Sequence, residues 1–66
     1  MKIISVAGKQ AQLTLNENEL LILNSALNEI CNGISVPDFE TRTGVSKEDA
    51  CALLDDIGHI LDNMMS

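Results

Sequence analysis

Two long stretches of the sequence mark helices at their ends, and the spacing of their apolar residues limits the fold more than any other feature. In "LNENEL", Asn16 is placed to cap a helix by accepting from the amide of Glu19. Glu19 is placed to reach back to the Asn16 amide, and Leu15 with Leu20 has the spacing of a hydrophobic staple. The stop is at "CNGI", where Gly33 suits the left-handed residue that closes a helix and Ile34 the apolar contact after it. A helix over about 17–32 is expected. At ~100° per residue, Leu20, Leu23, Leu27, Ile30 and Cys31 fall on one core-facing arc, with Ala26 at its edge. Leu21 and Ile22 point into polar sectors and need a second cover, which is the hairpin of the same chain, a partner or a second copy.

The second stretch begins at Ser46, with Asp49 in the capping-box position and Val45 before the cap. Ala50, Leu53, Leu54, Ile57, Ile60, Leu61 and Met64 recur at three and four residues over an arc of roughly 120°. A helix over about 46–64 follows. Glu48, Asp55 and Asp62 recur at every seventh residue away from that arc, joined by Asp49 and Asp56. Gly58 weakens the helix by about 1 kcal/mol relative to alanine.

Between the two, "VPDFETRTG" predicts a short helix over about 37–43. Pro37 and Asp38 sit in its first turn, Phe39 is the core anchor, Arg42 lies near the negative end and Gly44 terminates it. With "TGVS" it makes a helix-turn-helix-like corner. Ahead of all this, "KIISV" and "AQLTL" flank a glycine-containing turn and read as a β-hairpin within 2–15, with Ala11, Leu13 and Leu15 on one face. A lone two-stranded hairpin is marginal, so that face is expected on the helices. The expected architecture is α+β, mostly α, in one domain over 1–66: an N-terminal hairpin and three helices.

In a DNA reader the last helix would enter the major groove, yet here it is lined with carboxylates. Ten acidic side chains against four basic ones give a net charge of −6, the wrong sign for releasing counterions from phosphates. A basic protein surface is the better partner. Cys31 and Cys51 form neither a CxxC pair nor a His-supported ligand set, so buried reduced thiols are expected rather than a disulfide or zinc. "MKIISV" is too short for the apolar region of a secretion signal, and no run reaches membrane-span length, so a cytoplasmic protein is expected.

Catalysis finds little support. The carboxylates line the outside of a helix instead of facing one another across a cleft, and His59 has neither an orienting partner nor a pocket. Ser46 is a cap, Gly8 stands alone before Lys9 where a phosphate loop would need several glycines, and the calcium-loop pattern is missing. No catalytic residue, metal site or cofactor is expected.

The stretch "LTLNENELLILNSALNEICNGISVPDFETRTGVSKEDACALLDDI", from Leu13 to Ile57 and about two-thirds of the chain, resembles small bacterial immunity proteins of contact-dependent growth inhibition and related polymorphic toxin systems. The residues behind the resemblance are "LNSALNEICNGI", "FETRTGVS" and "EDACALLDDI". It implies a cytoplasmic protein that binds one cognate toxin, often a nuclease, and blocks its active site or substrate path. On that reading Glu48, Asp49, Asp55, Asp56 and Asp62 stand in for the phosphates that the toxin would bind, and Leu21, Ile22 or the loop 34–38 adds apolar contacts. No direct nucleic-acid or membrane contact is expected. The alternative is an acidic helix-turn-helix-like adaptor or regulator acting through protein contacts.

Overall fold

A computed structural model describes residues 1–65. Strands β1 (Lys2–Ala7) and β2 (Gln10–Thr14) are followed by α1 (Glu17–Asn28), a π-helical turn (Glu29–Gly33), α2 (Phe39–Thr43) and α3 (Lys47–Met65). The fold is the expected one, a hairpin and then three helices.

The hairpin is antiparallel and closes through Gly8 and Lys9. Gly8 has φ +61°, and Lys9 does not share the positive φ, which is the pattern of a type II′ turn. Its register carries a bulge at Ile4: Ile3 faces Leu13 and Val6 faces Ala11, while Ser5 faces Gln12 and Ala7 faces Gln10. Strict alternation would have put Ile3 with Ser5 and Ala7. The extra residue resets the alternation so that Ile3, Val6, Ala11 and Leu13 share one face.

Asn16 caps α1 as its sequence predicts. Its Oδ1 accepts from the Glu19 amide at 2.8 Å, and the Asn16 amide donates to Glu19 Oε1 at 3.0 Å. The staple residue Leu15 packs against the core. Ser46 Oγ likewise accepts from the Asp49 amide at 3.0 Å at the start of α3.

The far end of α1 differs from expectation. Gly33 does not adopt positive φ; the helix widens instead into a π turn, in which the Ile34 amide donates to the Glu29 carbonyl at 2.8 Å. That bond satisfies the terminal carbonyl without a left-handed residue, which is why the glycine signal misled. The short helix also begins later than Pro37. Asp38, its N-cap, takes φ +55°, so the chain turns before Phe39, and Gly44 at φ +73° ends the helix as expected.

The core is the line where α1 meets α3. Leu20, Ile57 and Leu61 are buried, with Leu15 and Leu27 packed partly against them. Cys31 and Cys51 are joined by a disulfide across this pair, with Cα atoms 5.8 Å apart. The expectation of buried reduced thiols is therefore corrected: both residues are only half-buried and they are bonded. The turn of the core helices, which sequence spacing alone does not reveal, brings two residues 20 positions apart into reach.

Much of the expected core is open. Leu23 remains 40% exposed, and Leu53, Ile60 and Met64 on α3 are exposed as well. The hairpin does not cover Leu21 or Ile22: every strand residue is exposed, and Ile22 stays 60% so. The hairpin thus extends away from the helix pair, and the molecule is a slab of 34 × 34 × 15 Å. A helix with its side chains is about 10–12 Å across, so the chain is a single layer, where most domains have two.

Candidate functional site

The carboxylates of α3 divide between two flanks of the helix. Counted at ~100° per residue, Glu48, Asp55 and Asp62 lie together, while Asp49 and Asp56 are about 100° further round, on the other side of the apolar arc. Sequence reasoning grouped all five. Each is exposed.

The first flank borders an open groove of about 380 Å³ between α1 and α3, lined by Asn24, Asn28 and Asn32 on one wall and by Asp55, His59 and Asp62 on the other. The asparagines follow at four-residue spacing, so they stack along one side of α1 and its π turn. Asn32 Nδ2 donates to Asn28 Oδ1 at 2.9 Å, which fixes one amide against the next. Gly58 lies in the floor of the groove, where its lack of a side chain leaves space between the walls. The residue that weakens α3 thereby opens the site.

Sequence reasoning missed the asparagines. The signal was present in the spacing Asn24, Asn28, Asn32, but of the three only Asn28 was placed, in a polar sector of the first helix.

Among the described residues, the ion pair formed is that of the N-terminal ammonium with Glu19. Among the described residues no lysine or arginine forms an ion pair with Glu48, Asp55 or Asp62, so their charge faces solvent. Glu19 itself is held below its ordinary value, first by the Asn16 amide donating to it and then by the ammonium beside it. Of the expected apolar contacts, Ile22 lies away from this groove, in an apolar cavity with Met1, Leu15, Glu19 and Leu23. Leu21 is exposed and turned about 100° from Leu20, toward the asparagine side of α1.

No protein-family model matches the chain, and neither a curated protein nor a solved structure does.

Chemically the groove offers acceptors and amides in the open. Among the described residues no three His, Cys, Asp or Glu side chains converge as metal ligands. Such a surface suits a partner with cationic donors: arginine forks for the carboxylates, and backbone or side-chain groups for the amides. No helix among the described residues is long and apolar enough to cross a membrane.

Proposed function

We propose that the protein is a non-enzymatic binder that neutralises a cationic protein, in the manner of an immunity protein that blocks a secreted toxin, with a nuclease the best-suited target. The observation that supports this reading is the row Glu48, Asp55 and Asp62: exposed, on one flank of α3, and in no ion pair with a base among the described residues. A nuclease cleft is basic because it binds phosphates, and a fixed row of carboxylates competes for the same charges. The asparagine wall gives hydrogen-bond specificity beside the charge. Asp49, Asp56 and Ile22, on other sides of the molecule, fall outside this narrowed surface. Leu21 stays as its apolar edge.

Action in the cytoplasm belongs to the same proposal. Cytosolic thiols are kept reduced, so Cys31 and Cys51 would work there as neighbouring thiols, and the bond would close on exposure to an oxidising medium.

Co-expression of the tagged chain with the product of the gene immediately upstream, followed by a nuclease assay, tests the proposal. Equimolar co-purification with loss of nuclease activity is expected. A folded neighbour that neither binds nor is inhibited would instead favour an acidic adaptor, for which the short helix, three-residue turn and long helix of α2 and α3 offer the framework.

A further inference from the structure

We propose that the chain is one half of a homodimer in which the hairpin of each copy covers the open apolar flank of the other copy's helix pair. This does not rest on the toxin reading. The hairpin has no helix beneath it and exposes Ile3, Val6 and Leu13, while the helix pair has no sheet above it and exposes Leu23, Leu53 and Ile60. Each is what the other lacks.

The crossed arrangement requires the two apolar surfaces to face the same way. Counted from Leu20 and Ile57 at ~100° per residue, Leu23, Leu53 and Ile60 fall on the flank opposite the asparagine groove. The cavity at the base of the hairpin joins them, because Leu15, two residues beyond Leu13, lines it together with Ile22 and Leu23. On the hairpin, Ser5, Gln10 and Gln12 take the face opposite Ile3, Val6 and Leu13.

The area agrees with a dimer. A compact monomer of 7.1 kDa exposes about 4,100 Å², whereas this chain exposes 5234 Å². The excess of roughly 1,100 Å² is of the size that each partner gives to a stable interface, about 800 Å². Two slabs of 15 Å stacked face to face make the two layers of an ordinary domain.

Charge favours the crossed arrangement over hairpin on hairpin. Residues 1–16 contain Lys2 and Lys9 and no carboxylate, a charge of +2; residues 17–66 contain all ten carboxylates with Arg42 and Lys47, a charge of −8, and the two sum to −6. Crossing brings the lysine-bearing hairpin of each copy over the flank that Asp49 and Asp56 border in the other. A foreign protein is a poorer occupant, since a hairpin that is marginal alone needs its cover whenever the chain folds, and a second copy is always at hand.

Sedimentation equilibrium of the purified chain gives the mass, and isotope-filtered NMR on a mixture of labelled and unlabelled copies gives the contacts. We expect twice 7.1 kDa, with intermolecular contacts from the methyls of Ile3, Val6 and Leu13 to those of Leu23, Leu53 and Ile60. Val6→Lys should raise the dissociation constant about 10- to 100-fold, and Gln12→Lys, on the opposite face, should leave it unchanged. A monomer throughout the concentration range overturns the proposal, as does a dimer whose hairpin contacts no helix of the other copy. Asp55→Lys with Asp62→Lys leaves the dimer intact on this account, so loss of toxin binding and loss of the dimer are separable.

Discussion

Glu19 performs two tasks with one carboxylate, accepting from the Asn16 amide that starts α1 and pairing with the N-terminal ammonium at the base of the hairpin. Both contacts favour the charged form, so its folded value lies below the ordinary 4.5. For a lowered carboxylate the sign is fixed: its contribution is complete above the ordinary value and is lost as pH falls through the lowered one. Glu19→Gln should therefore lower the melting temperature at neutral pH and converge with the parent in strong acid, as thermal melts across that range would show. The glycines give a sharper contrast. Gly44→Ala, at φ +73°, should destabilise by about 1 kcal/mol or more. Gly33→Ala should cost far less, because φ there is not positive and a Cβ would meet only the flexible Glu29 side chain. Equal losses in denaturant titrations would restore the left-handed stop that the sequence suggests.

At the scale of elements, α1 and α3 were legible wherever local chemistry decided the outcome. Asn16 with Glu19, and Ser46 with Asp49, are short-range bonds that need nothing from the rest of the chain. What was not legible depended on distance. Leu23 and Ile60 have core spacing, but spacing reports only that a residue needs cover, not which element supplies it. The hairpin shows the same limit: Ile3 and Leu13 share a face as the alternation of β2 suggests, yet no helix of the same chain lies beneath them. The bulge at Ile4 could not be read ahead of the pairing, because it exists only relative to the opposite strand. The disulfide is the largest such surprise. Closing a loop of 20 residues, it should contribute about 3 kcal/mol, so reduction, or Cys31→Ser with Cys51→Ser, should lower the unfolding free energy from urea titration by that amount and move the midpoint down accordingly. An unchanged midpoint would mean that helix packing alone holds α1 to α3.

For the whole molecule, a single layer with one polar side and one apolar side divides its tasks. On the two proposed readings a second copy covers the apolar side, and the groove lined by Asp55 and Asp62, with Glu48 further along the same flank of α3, meets a cationic partner. Of the acidic residues chosen from the sequence, Asp55 and Asp62 come together at the groove with Glu48 on the same flank, because residues seven apart return to one side of a helix. Asp49 and Asp56 obey the same rule on another flank. The measurement that tests this most directly is a calorimetric titration of the upstream-encoded toxin domain at low and high salt, with the parent chain and with Asp55→Lys/Asp62→Lys. We predict equimolar binding that weakens as salt rises, and a loss of about tenfold or more on charge reversal with a shallower salt dependence. Absence of binding at low salt, or equal affinity of both chains at both salts, would contradict the account.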